Sequence, residues 1–225
     1  MRKKTFTVLM IIGILLSFFG CSEDNVIQPK LEVDTPNFSQ FEYMFEIWYN
    51  DWDATWVGHL RHRSHDSSLP RAYLMVNGAQ IAVSFRRDGV EYKADLSLHF
   101  IEMNPGDLVD IHLVVPEKKE YKTQLKLPHI PTITNTNLDI DPDHDFMVTW
   151  DVLGDSNLQI LALSVWDAHN TRHRYERNLV GNVRGYLFPA KDFPHYIQSA
   201  SIYLQNIGYK IEDSFNVVAY IDARF

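Results

Sequence analysis

Three of the five tryptophans in this 225-residue chain fall within nine residues, Trp48-Tyr49-Asn50-Asp51-Trp52-Asp53-Ala54-Thr55-Trp56. Two carboxylates and an amide are interleaved with them. Flat aromatic faces stack on the apolar faces of sugar rings, while Asp and Asn bond sugar hydroxyls. Trp48, Asp51, Trp52, Asp53 and Trp56 are therefore the candidate ligand-binding residues, with a glycan as the ligand class. The competing expectation is that the cluster is core and hairpin-end packing, because tryptophan is usually largely buried. Trp52, set between two Asp residues in an expected turn, is the one best placed for exposure.

Two further clusters suggest metal chemistry. His59-Leu60-Arg61-His62-Arg63-Ser64-His65-Asp66 supplies imidazoles and a carboxylate, which suit zinc, copper or nickel. A spacing of three on a strand sends His59 and His62 to opposite faces, and Arg61 and Arg63 repel a cation. An exposed polar strand end is the expectation there. Asp139, Asp141, Asp143 and Asp145 resemble calcium ligands. An EF-hand loop counted from Asp139 needs Gly sixth and Glu twelfth, where this chain has His144 and Trp150. What remains is a charged turn or a looser calcium site between β-domains. The serine-hydrolase elbow, the zinc-protease helix motif and the glycine-rich phosphate loops are all missing from the sequence. The expectation is a non-catalytic protein with no cofactor and no metal. Carboxylate pairs of the glycosidase kind have no short signature, so an envelope enzyme stays open as a third reading.

These residues are positioned by strands. Phe41, Tyr43, Phe45, Ile47 and Tyr49 alternate with more polar neighbours. Val90 to Phe100 and Tyr121 to Leu127 do the same. Period-two alternation is the mark of a half-buried antiparallel sheet. Asn77-Gly78 and Asp88-Gly89 are hairpin turn pairs, and Pro105-Gly106-Asp107 is another turn. Pro128-His129-Ile130-Pro131 removes two backbone donors within four residues and marks a domain boundary. Seven strands are expected after it: 132–140, 146–152, 158–166, 172–178, 183–188, 199–205 and 214–223. A helical turn over Pro189–Pro194 interrupts them. The inward Trp150 makes residues 132–225 resemble a fibronectin type III domain. Residues 37–128, ending in Tyr121 to Pro128, resemble the small Ig-like modules of bacterial envelope lipoproteins. The expected fold class is all-β: two consecutive Ig-like antiparallel β-sandwich domains, 37–128 and 132–225, after a signal peptide (1–20) and a tether (21–36).

The N-terminus carries an address. Arg2, Lys3 and Lys4 precede the apolar run Phe6 to Phe19. As a helix those residues span about 21 Å, short of the ~30 Å hydrocarbon core, so the run reads as an export signal rather than a membrane span. Phe18-Phe19-Gly20-Cys21 resembles the lipobox of bacterial lipoprotein precursors, although Phe18 and Phe19 depart from its usual Leu and small residue. The acidic start Cys21-Ser22-Glu23-Asp24 is similar to that of Bacteroidetes-type surface lipoproteins. The resemblance implies that Cys21 is acylated and becomes the mature N-terminus. The protein would then be held at the cell envelope, on the periplasmic face or the surface of the outer membrane.

Composition bounds the partners. The chain carries 21 basic and 29 acidic residues, a formal charge of −8. Removal of residues 1–20 takes Arg2, Lys3 and Lys4 and no acid, which leaves a mature charge of −11. Such a chain lacks the basic surface that nucleic acid requires. With 45% apolar residues it can bury a core, and its single cysteine excludes an internal disulfide. The expected role is a lipid-anchored envelope module that contacts proteins or acts as a spacer, with glycan binding as the alternative.

Overall fold

Among the described residues, alternating apolar and polar side chains fold into fifteen strands. The structure, a computed structural model, describes residues 34, 36–37, 40–50, 52–63, 71–116, 119–135, 137–151, 154 and 156–225. The expected signal peptide, Cys21 and Asp51 lie outside the described residues. The strands of the first half are β1 (Tyr43–Asn50), β2 (Thr55–Arg63), β3 (Tyr73–Val76), β4 (Ala79–Ile81), β5 (Arg86–Asp88), β6 (Glu91–Ser97), β7 (Leu108–Val115) and β8 (Lys119–Lys126). Those of the second are β9 (Thr132–Ile133), β10 (Phe146–Asp151), β11 (Leu158–Trp166), β12 (Arg172–Val180), β13 (Gly185–Phe188), β14 (Ser199–Glu212) and β15 (Phe215–Arg224). A short 3-10 turn at Ala190–Asp192 falls where the sequence suggests a helical turn. No helix among the described residues is long and apolar enough to cross a membrane.

The turns form for the reasons their residues dictate. Val76 pairs with Ala79 across Asn77-Gly78, and both turn residues have positive φ (49° and 78°), the geometry of a type I′ hairpin. Pro105-Gly106 lies inside an Asn104–Asp107 turn closed by a 3.0 Å backbone hydrogen bond, with Gly106 at φ 90°.

The fold is all-β and sandwich-like. Sheet β4-β3-β7-β8 packs against the β15-β1-β2-β6 portion of an eight-stranded sheet. The core between them joins Leu74, Ile111 and Leu113 to Phe45, Ile47 and Leu60. In the second half, β13-β10-β9 lies opposite β12-β11-β14, where Tyr175 meets Phe188 edge-on at 6.4 Å and Arg177 Nε donates to Tyr186 Oη at 2.8 Å. Trp150 is buried here, as its inward position on β10 predicts.

One feature differs from two self-contained sandwiches in succession. The eight-stranded sheet has the order β12-β11-β14-β15-β1-β2-β6-β5 and so runs across the Pro128–Pro131 segment. The long β14 pairs with β11 through Ser199–Ile207 and with β15 through Tyr203–Glu212. β15 then pairs with β1 in parallel, Tyr43 opposite Phe215 and Trp48 opposite Tyr220. Phe215, Val217, Ala219 and Ile221 belong to the core of the first half, although they come last in the chain. On the other face of the same strands, Met44, Leu158, Ile207 and Val218 form a smaller buried cluster.

The linker is fixed by buried polar groups. Asn206 Nδ2 donates to the His129 carbonyl at 2.8 Å, and the neighbouring Gln159 amide donates to the Val180 and Val183 carbonyls (3.2 and 3.0 Å) and accepts the Trp150 indole N–H at 3.1 Å. Gly208 lets β14 pass close to β8, since a Cβ there would sit 2.7 Å from the Lys126 carbonyl oxygen.

Among the described residues, Asn216 is the least satisfied buried side chain. It is 0% exposed, and neither its Oδ1 nor its Nδ2 has a hydrogen-bond partner. An unpaired buried amide costs about 1–3 kcal/mol. Asn216→Leu keeps the shape and places an apolar group between Met44 and Ile211, its partners on β1 and β14. The expected result is a gain of about 1–2 kcal/mol, read as a higher urea midpoint at unchanged m-value. A lower midpoint would show that the amide has a partner.

Candidate functional site

The tryptophan cluster sits on β1, β2 and the turn between them. Strand alternation separates its members. Trp56 points into the core at 2% exposure, with its indole N–H donating to the Met103 carbonyl at 3.0 Å. It is therefore no ligand contact. Trp48 lies on the opposite, outer face of the sheet, half-buried, with its ring 4.2 Å from that of His59. Trp52 projects from the turn and is 98% exposed.

Local hydrogen bonds set this turn. Asn50 Oδ1 accepts the Trp52 backbone N–H at 3.2 Å. Asp53 Oδ1 accepts the Thr55 hydroxyl at 2.7 Å, and Ala54 takes φ 53°. Asn50 and Asp53 thus spend side-chain oxygens on fixing the turn, which carries the Trp52 indole outward.

The parallel neighbour β15 completes the site. Its last residues bring Asp222 and Arg224 beside Trp48, so that these two, with Trp48, Tyr49, Asn50 and Trp52, line a hollow of about 570 Å³. Arg224 Nε donates to Asp222 Oδ2 at 3.2 Å, and its guanidinium lies 5.7 Å above the Tyr203 ring on β14. Burial, followed by the Asp222 charge, pushes the Tyr203 phenol up to about 12. It remains an O–H donor at any physiological pH. The hollow therefore offers an exposed indole, a second indole at its side, a carboxylate, a guanidinium and an amide. Such a set holds a polar, ring-shaped molecule by stacking and hydrogen bonding. None of its groups is arranged as a nucleophile with an adjacent base.

Sequence reasoning missed Asp222, Arg224 and Tyr203. The only signal is the polar alternation Asp222-Ala223-Arg224 at the end of an apolar strand, which does not say which strand lies alongside.

The metal candidates separate as strand geometry predicts. His59 faces out and pairs with Asp95, while His62 faces in, stacked on Tyr43 at 4.3 Å. His65 and Asp66 lie outside the described residues. The Asp139–Asp145 segment is an exposed turn. Asp141 accepts the Asp143 backbone N–H at 2.9 Å and bonds His144 at 2.8 Å, and these contacts, the backbone one first, lower its pKa. Asp145 accepts the Ala190 N–H at 2.7 Å. Among the described residues no three His, Cys, Asp or Glu side chains converge on one point.

A second hollow on the outer face, about 300 Å³, is lined by charges that neutralise one another: Arg61 with Glu46 at 2.6 Å, Arg86 with Asp95 at 2.8 Å and Lys93 with Asp88 at 2.7 Å. Arg61–Glu46 is partly buried and the other two pairs are more exposed and contribute little stability, and together they leave few free groups for a ligand.

No protein-family model matches the chain, and no curated protein is similar to it.

Proposed function

We propose that this protein is an exported, lipid-anchored, non-catalytic binding module of the cell envelope. Of the ligand classes open to it, a glycan fits best. One observation carries the reading: Trp52 is 98% exposed at the rim of a hollow that also holds Trp48, Asp222 and Arg224. A fully exposed tryptophan forgoes the burial that would otherwise stabilise the fold by about 1.5–3 kcal/mol, and a ligand that covers it recovers that term. A stable protein partner would cover about 800 Å² per side. The surroundings of Trp52 are instead concave and polar, the form of a small-ligand site. The anchor is inferred from the export signal and from the Phe18-Phe19-Gly20-Cys21 box that ends it. Acyl chains contribute roughly 0.8 kcal/mol per buried CH₂, and more than one chain gives stable attachment.

The test uses the full chain carrying Cys21→Ala, with wild type as reference. The variant is expected to leave the membrane fraction or to accumulate as precursor. On a glycan array it binds, and adding Trp52→Ala removes that binding while the melting temperature stays within a degree or so, since Trp52 packs on nothing. Equal binding with and without Trp52 would refute the site. Continued membrane sedimentation of Cys21→Ala after a carbonate wash would refute the anchor.

A further inference from the structure

The surface beside Trp48 does not end at Arg224. On the outer face of the large sheet, β1, β15, β14, β11 and β12 lie side by side, four inter-strand spacings or about 19 Å across. Tyr203, near the middle, is acted on by Asp222 and Arg224 from one side and by Arg174 and Glu176 from the other. Between Tyr203 and β12 the β11 residues are small, Ala162 and Ser164. Further along, Arg172 donates to Ser164 Oγ from Nε (3.2 Å) and Nη2 (2.9 Å), with its guanidinium 5.6 Å over the Trp166 ring. Aromatic faces and guanidinium groups thus alternate across the sheet from Trp52 to Trp166.

The charges decide what such a strip holds. The whole chain is acidic, at −8. Yet on β15 and β12 the strip carries Arg224, Arg174 and Arg172 against Asp222 and Glu176, with Asp53 adding a third carboxylate at the Trp52 end. Glu176 Oε2 takes Nε and Nη2 of Arg174 at 3.1 and 2.7 Å. Asp222 takes only Nε of Arg224, whose side chain is 79% exposed. Each guanidinium has five N–H groups in a planar fork that matches a carboxylate, so donors remain on all three.

We infer that the site extends across the sheet and binds a linear acidic oligosaccharide, whose carboxylates are received by Arg224, Arg174 and Arg172 while its rings lie against Trp52, Trp48 and Tyr203. The inference rests on the glycan reading of the Trp52 hollow and adds length and charge to it. A uronate chain with one carboxylate per ring and no sulfate suits three separated arginines. The acidic remainder of the protein disfavours a dense polyanion.

The experiment is calorimetric titration of the full chain carrying Cys21→Ala with oligogalacturonates from the dimer to the octamer, against neutral gluco-oligosaccharides of matched length. Affinity is expected to rise about tenfold or more from dimer to octamer. Arg174→Ala and Arg172→Ala should each weaken the octamer by about tenfold, as loss of a charge-assisted hydrogen bond implies, and leave the dimer unchanged. Arg172→Lys, which keeps the charge but not the fork, should recover only part. Added salt should weaken the octamer more than any neutral chain. Acidic and neutral chains bound equally, or octamer binding untouched by both arginine variants, would overturn this inference and leave the Trp52 glycan reading standing. If no glycan of either kind binds, both readings fall.

Discussion

A chain ending at Asp213 is expected to lose the fold of residues 43–126, although every one of those residues is still present. The missing strand, Phe215–Arg224, places Phe215, Val217, Ala219 and Ile221 in the core of the first half. On its other face Val218 packs with Met44, Leu158 and Ile207. Full burial of one large apolar side chain stabilises by about 1.5–3 kcal/mol. Phe215, Val217, Val218 and Ile221 together therefore contribute about 6–12 kcal/mol, comparable with the whole stability of a typical domain. Truncation also strips β1 of its parallel partner and leaves β14 unpaired on that side from Tyr203 to Glu212, which exposes edges on both. The expected result is no cooperative thermal transition by circular dichroism, together with rapid proteolysis within residues 43–126. A truncated chain that melts cooperatively would mean that the first half stands as an independent domain.

The second large effect contrasts two tryptophans four residues apart. Trp56→Ala removes a fully buried indole and leaves the Met103 carbonyl without its 3.0 Å hydrogen bond. The expected cost is about 3–5 kcal/mol, enough to unfold a marginal domain at physiological temperature. Trp52→Ala removes a side chain that is 98% exposed and should change stability by less than about 0.5 kcal/mol. Chemical denaturation of the two variants beside wild type decides the matter. Similar losses for both would mean that Trp52 is packed against something in solution.

These two residues also show how far the sequence could be read. The strand alternation was plain, and β11 runs over Leu158–Trp166 as its apolar run indicates. The Asn77-Gly78 hairpin and the 3-10 turn after Pro189 follow from local backbone chemistry, which acts over a few residues and is legible in them. Partnership is not local. Period two tells which face of a strand is buried but not which strand lies beside it, so the parallel β1–β15 pair and the site it assembles were hidden. Residues 134–140 show a related limit. They read as a continuing strand, yet β9 covers only Thr132–Ile133. Beyond it the Asn135 side chain takes over the pairing, donating to the Met147 carbonyl at 2.8 Å and accepting the Thr149 N–H at 2.7 Å. A side-chain amide that imitates backbone leaves no trace in hydropathy. Within the cluster itself, alternation could place Trp48 and Trp56 on opposite faces, while Asp222 and Arg224 lie more than 160 residues further along the chain.

The shared direction of β1 and β15 has a consequence for how the hollow is held together. The chain enters the sheet at Tyr43 and reaches the Trp52 turn only after the eight residues of β1, about 26 Å away. β15 runs the same way, so Arg224 arrives at that far pole too. The hollow is thus made where two strand ends arrive together, so a slip of the β1–β15 register would carry Asp222 and Arg224 away from Trp48.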